Sequence, residues 1–173
     1  MKKQKKVAII TGPGFEEAEV IIPMMYLPAE GFDVHVMTSS DAAVVGKHGF
    51  PLKPTHLLTD LSVLKYDAVV IPGGYEAPDR VRQKKEAVTF IKKMFDAGKI
   101  VAGICHGPWV LISSGIMKGK RATCYPGMKD DLINAGARYT NDPVVIDENL
   151  ITADRPATSG YWVKAIIQAL SNR

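Results

Sequence analysis

Ile100-Val101-Ala102-Gly103-Ile104-Cys105-His106-Gly107-Pro108 is the stretch on which the fold turns. Five apolar residues without a charge among them suit a strand buried on both faces, as in a parallel sheet covered by helices. Pro108 suits the first turn of a helix, where its missing N–H costs nothing. Between strand and helix stands Gly103-x-Cys105-x-Gly107, the spacing of a nucleophile elbow with cysteine in place of serine. An abrupt strand-to-helix turn crowds the positions two before and two after its apex, so side chains there would clash. The apex residue itself takes a strained backbone conformation.

Outward from this stretch, short β-branched runs alternate with amphipathic ones. Strands are expected at Val7 to Thr11, Phe32 to Met37 and Asp67 to Pro72, besides Lys99 to Ile104. One helix is expected from Glu16 to about Glu30, kinked or late-starting because of Pro23 and Pro28. A second is expected from Asp79 to Ala97, where Val81, Val88, Ile91, Met94 and Phe95 recur at helical spacing. Gly31 and Gly98 fall where helix C-terminal caps belong. Val44 to Leu58, with Gly46-Lys47-His48-Gly49 inside it, reads as an antiparallel hairpin beside the main sheet. There follow a helix from Pro108 to Ser114, a strand near Ala122 to Tyr125, a helix from Met128 to Ala135, a strand pair around Val144 to Ile151 and a closing helix from Ser159 to Leu170. The pattern is that of an α/β fold: a doubly wound, mostly parallel sheet with helices on both faces, whose ligands bind beyond the carboxyl ends of the strands. With no repeat or linker, one domain over 1–173 is expected, its residues 1–6 a flexible basic start.

A chain of 173 residues buries roughly 70% of its unfolded surface, enough for one sizeable core. Its 46% hydrophobic and 23% charged residues set it apart from disordered and membrane chains. Val7-Ala8-Ile9-Ile10 is too short for a signal-peptide core and no cleavage site follows, so a cytoplasmic protein without a membrane partner is expected. The net charge of +4 is diffuse, spread over the N-terminal lysines and over Lys84, Lys85, Lys92 and Lys93 on a solvated helix face. Without aromatic interleaving it does not suggest nucleic acid as a partner. Two cysteines exclude a disulfide scaffold, and with the four histidines, at 35, 48, 56 and 106, they show no zinc-ligand spacing, so no metal is expected.

The elbow places the Cys105 sulfur at a helix start, where unpaired N–H groups favour thiolate over thiol; a depressed thiol pKa is the expectation. The same N–H groups can receive an oxyanion when sulfur adds to a carbonyl. A free thiol packed in the core is the alternative, against which the glycine frame argues. Cys124 has no such frame and reads as packing.

Ala102-Gly103-Ile104-Cys105-His106-Gly107-Pro108, together with Gly14-Phe15-Glu16-Glu17-Ala18-Glu19, Gly46-Lys47-His48-Gly49, Pro72-Gly73-Gly74, Ala77-Pro78-Asp79-Arg80-Val81-Arg82 and Tyr125-Pro126-Gly127, closely resembles the PfpI branch of the ThiJ/PfpI superfamily, from about Val7 to Leu170. The resemblance implies a flavodoxin-like sandwich, an elbow cysteine and a carboxylate from the first strand-to-helix turn against its sulfur. By motif match that carboxylate is Glu19 first and Glu16 second. A glutamate buried beside a thiolate has its pKa raised and can move protons. The resemblance further makes His106 the candidate base and Asp79 the acid that a neighbouring subunit lends to orient it, so that a homodimer or hexamer is implied. Gly74, Lys47 and Tyr125 match substrate-pocket positions. Ala153-Asp154-Arg155-Pro156-Ala157-Thr158 departs from the family's Ser-Arg-x-Pro-x-Asp-like run, with arginine shifted and the final acid missing.

Three functions are compatible with these residues. One is a glyoxalase or deglycase, in which Cys105 adds to a small dicarbonyl or its early adducts and no cofactor is needed. Another is an intracellular cysteine peptidase working through an acyl-enzyme. The third is a non-catalytic redox sensor or holdase in which Cys105 oxidises. A class I glutaminase would need a histidine well downstream of the cysteine, and the last in the chain is His106.

Overall fold

The computed structural model describes residues 4–173. In chain order it holds β1 (Lys6–Ile10), α1 (Glu17–Ala29), β2 (Asp33–Thr38), β3 (Val44–Val45), β4 (Pro51–Leu52), β5 (His56–Leu57), β6 (Ala68–Ile71), α2 (Glu76–Arg82), α3 (Lys85–Asp96), β7 (Ile100–Ile104), α4 (Pro108–Ser113), β8 (Arg121–Ala122), α5 (Lys129–Asn134), β9 (Arg138–Tyr139), β10 (Val144–Asp147), β11 (Leu150–Ala153) and α6 (Ser159–Ser171). Seven strands form one sheet in the order β10-β11-β7-β6-β1-β2-β5, parallel except for the β10–β11 pair. The α/β fold is therefore doubly wound as expected, with β1 and β6 adjacent at the point where the strand order reverses.

Alternation along the strands divides the core into two layers. Val7 and Ile9 of β1 pack with Val20, Leu27, Trp162 and Ile166 of α1 and α6. Ala8 and Ile10 face the other way, toward Val81, Phe90, Ile91, Met94, Val110 and Leu111 of α2, α3 and α4. β7 is buried at all five positions, as a strand covered by helices on both faces must be.

Several boundaries differ from expectation. The stretch 79–97 is two helices: α2 ends at Arg82 and α3 starts at Lys85, and Val81 of the first lies in the same layer as Ala87, Phe90, Ile91 and Met94 of the second, so the periodicity continues across the break. Pro23 and Pro28 lie inside α1, which runs from Glu17 to Ala29 without interruption. Within Val44 to Leu58 only β3 and β4 make the antiparallel hairpin; His56 and Leu57 instead extend the main sheet as β5, parallel to β2. Near Ala122 to Tyr125 the strand is the two-residue β8, parallel to β9 in a separate small sheet, and Cys124 lies outside it. Of the basic start, residues 1–3 lie outside the described residues, and Lys6 is the first residue of β1. No helix among the described residues is long and apolar enough to cross a membrane.

Candidate active site

β7 ends at Ile104 and α4 starts at Pro108, so Cys105 occupies the apex of the turn, with φ of +59°. A non-glycine residue held there stores strain, and bonds from β11, from the loop after β8 and within the turn itself hold it. Cys105 N–H donates to Ala153 O of β11 (3.0 Å), Tyr125 N–H donates to Cys105 O (3.0 Å), and Gly107 N–H closes the turn on Ile104 O (2.7 Å). The glycine frame has its steric cause on display. A Cβ at Gly107 would lie 2.2 Å from Ile71 O, and one at Gly103 would lie 2.9 Å from Leu111 Cδ1.

The sulfur is nearly enclosed, Cys105 being 5% exposed. The backbone N–H groups of His106 and Gly74 are its hydrogen-bond donors. Gly74 comes from the β6-to-α2 turn, where φ is +77° and a Cβ would meet Gly14 O at 2.3 Å; only glycine brings its N–H so close to the sulfur. His106 Nδ1 lies 3.3 Å from Sγ, its ring stacked on Tyr125 (centroids 4.9 Å apart) and edge-on to Trp109 (4.9 Å).

The first turn of α1 resolves the choice of carboxylate geometrically. Glu19 is fully buried; its Oε2 accepts the Gly73 N–H at 2.6 Å, and its carboxyl is in hydrogen-bond contact with the Cys105 thiol. Among the described residues, Oε1 finds no nitrogen or oxygen partner. Glu16 points elsewhere, to Lys47 Nζ at 2.6 Å. Burial, and after it the Glu16 charge, push the Glu19 carboxyl up to about 8, against the Gly73 N–H that lowers it. Burial, followed by the Glu19 carboxylate, also pushes the Cys105 thiol up, outweighing the His106 and Gly74 N–H groups. This corrects the expectation of a depressed thiol. The sequence displays the helix start but not the enclosure, and α4 has only six residues. His106 is held down by burial and then by Lys47, which keeps its ring neutral near neutral pH.

Asp79 stands apart. It is exposed on α2, and within the chain its carboxylate accepts only from Gln83 Nε2 (3.3 Å) among the described residues. The altered run 153–158 supports the elbow from behind: Ala153 O takes the Cys105 N–H, while buried Asp154 pairs with Arg155 Nε (2.5 Å) and receives the Thr158 hydroxyl (3.0 Å). Cys124 is fully buried and packs in the layer under α4 and α5. Sequence reasoning missed the Gly73 N–H that holds Glu19, the Trp109 ring against His106, and the Glu17–His48 contact (2.8 Å) beside Lys47. For the first of these Pro72-Gly73-Gly74 at a strand end was the available cue.

Residues 5–169 match the DJ-1/PfpI family. The Pyrococcus horikoshii protein named Deglycase PH1704 is 40% identical over 165 residues, spanning 95% of this chain and 99% of that one. The Bacillus subtilis protein named Putative cysteine protease YraA is 36% identical, spanning 88% and 90%. A solved Anabaena variabilis protein with DJ-1/ThiJ/PfpI-like and ferritin-like domains superposes with a TM-score of 0.94 at 38% identity. The match covers 97% of this chain and 48% of that one.

Proposed function

This chain belongs to the DJ-1/PfpI family, and from that premise we propose that it is a cysteine-dependent enzyme of the deglycase or glyoxalase type. Its substrate on this reading is a small 2-oxoaldehyde such as methylglyoxal, or an early adduct of one with an amine or thiol, and its product a 2-hydroxy acid. The observation that carries the reading is the convergence of the His106 and Gly74 N–H groups on a sulfur that also touches a carboxyl holding its proton near neutral pH.

The chemistry follows from those groups. As the Cys105 sulfur bonds to the aldehyde carbon, its thiol proton passes to the Glu19 carboxyl in contact with it, and that carboxyl gives its own proton to the carbonyl oxygen held by the two N–H groups, so Glu19 ends the step protonated. Neutral His106 accepts the hydrogen on that carbon as a proton. The electron pair of that bond moves toward the neighbouring carbonyl to give an enediol; the proton held by His106 returns to the second carbon while the hydroxyl proton of the first moves to the second oxygen, which leaves an alcohol beside a thioester at sulfur. Water cleaves the thioester and returns the thiol. One carbon is oxidised by the two electrons that reduce the other, so the balance needs no external oxidant or reductant.

The low exposure of Cys105 favours a two- or three-carbon carbonyl over a peptide chain. Lactate formation from methylglyoxal, followed by proton NMR, is the expected result. Cys105-dependent release from a fluorogenic peptide without lactate would replace the reading with a peptidase. Stoichiometric loss of the thiol to peroxide with neither substrate turned over would replace it with a redox sensor.

The reading extends to a homodimer or hexamer in which Asp79 of a neighbouring copy orients His106, its carboxylate being exposed in the single chain. Asp79→Asn is then expected to lower kcat about tenfold. Mixed with Cys105→Ala protein, it should regain part of the loss, because a hybrid assembly contains an intact sulfur beside an intact acid. A mixture no more active than its components would show that Asp79 acts within its own chain or not at all.

A further inference from the structure

Glu17 and His48 lie between the site residues without a part in the chemistry above. Glu16, Glu17 and Glu19 share the start of α1, yet each is committed differently: Glu16 to the Lys47 ammonium, Glu19 to the sulfur, Glu17 to the backbone of the β3–β4 hairpin. Glu17 Oε1 accepts the His48 N–H at 2.6 Å and the Phe50 N–H at 3.5 Å, and its Oε2 meets His48 Nδ1 at 2.8 Å. The fit is close, since a Cβ at Gly46 would lie 2.4 Å from Glu17 Oε1. Two backbone bonds dock the same hairpin on the β1–α1 loop, Gly14 N–H to Val45 O (2.8 Å) and Lys47 N–H to Phe15 O (2.9 Å). Lys47 is thus flanked by a clamped residue on one side and a docked strand end on the other, and from there its Nζ reaches Glu16 Oε2 at 2.6 Å.

We propose that Glu17 is a positioning residue: by gripping the Gly46–Phe50 turn through His48 it sets the Lys47 ammonium beside Glu16, where its charge acts on Cys105 and Glu19. The inference rests on the reading of Cys105 as the working sulfur, and it is independent of which carbonyl is turned over. The Glu17 carboxyl is suited to the grip. Burial raises it, but the His48 ring and the N–H groups of His48 and Phe50 outweigh this and hold it ionised, so the clamp persists throughout the working pH range.

The test is the pH profile of Cys105 alkylation by iodoacetamide, measured in the full-length protein for Glu17→Ala, Lys47→Met and the double variant. Losing the ammonium from its place moves thiolate formation to higher pH, so both single variants should alkylate about tenfold more slowly at a given pH, and the double variant no more slowly than Lys47→Met alone. Glu17→Asp, which keeps the charge but shortens the reach, should recover part of the rate. Additive losses, or a Glu17→Ala profile equal to that of the unaltered protein, would overturn the proposal. So would a rise in Tm with added Zn²⁺ that His48→Ala abolishes, since the Glu16, Glu17 and His48 donor atoms lie within 4.8 Å of one another and would then form a metal site. Failure of methylglyoxal turnover with the alkylation pattern intact would count against the substrate and leave the clamp standing.

Discussion

On the proposed reading, Cys105→Ala is expected to reduce methylglyoxal turnover by a factor of about 10³ or more, because the thioester through which that reading runs forms at its sulfur. The fold should survive the change. Cys105 contributes backbone bonds to Ala153 and Tyr125 that alanine keeps, and at φ +59° alanine is strained as cysteine is. Cys105→Gly relieves that strain and should gain about 0.5–1 kcal/mol in urea unfolding while remaining as inactive as the alanine variant. Opposite signs for stability and activity distinguish a nucleophile held in a strained turn from a cysteine that merely fills the core. A Cys105→Ala protein that retains turnover, or one that loses both folding and activity together, contradicts the assignment. Cys105→Ser is a sharper version of the same test: the hydroxyl occupies the same place between the His106 and Gly74 N–H groups, yet it lacks the acidity and polarisability of sulfur.

The elbow was legible in sequence because it is a steric necessity. Gly107 packs 2.2 Å, at its missing Cβ, from Ile71 O, and no substitution hides that requirement from a reader of residue spacing. The parallel sheet was legible for a similar reason: β1, β6 and β7 are apolar at nearly every position, as double-sided burial demands. What escaped the sequence depended on distance in space. The break between α2 and α3 carries neither glycine nor proline, only Gln83 and Lys84, and the apolar rhythm runs through it because both helices cover the same layer. Glu16 and Glu19, both offered by motif match to the resembled family, stand three residues apart at the start of α1, and nothing in that spacing says which meets the sulfur. Lys47, arriving from the hairpin, and the Gly73 N–H, arriving from the end of β6, divide them. The sign of the thiol shift failed for the same reason, since a helix start is visible in a motif while the enclosure around it is assembled from β1, β6, β7 and the turns that follow them.

Glu19→Gln should make the protein more stable and less active, with the two effects tied to one proton. Glu19 has its carboxyl pushed from an ordinary 4.5 to about 8 by burial, so the folded state binds a proton that the unfolded chain releases. For an acid raised in this way the contribution to stability is complete below pH 4.5 and is lost progressively as the pH rises toward 8. Glutamine, neutral throughout and able to accept the Gly73 N–H, escapes that loss. At pH 7 the variant should therefore gain up to about 3 kcal/mol over the unaltered protein in urea unfolding, and the two should converge near pH 4.5. Turnover falls because the amide has no proton to deliver to the substrate oxygen; the alkaline limb of the kcat profile, set by Glu19 losing its proton near 8, disappears with it. Alkylation of the sulfur goes the other way. Above pH 8 the Glu19 carboxylate opposes thiolate formation and glutamine does not, so iodoacetamide should react about tenfold faster with the variant at pH 9. Parallel stability curves for the two proteins across this range would mean that Glu19 is ionised in the folded state, and the sulfur would then have to work without a proton donor beside it.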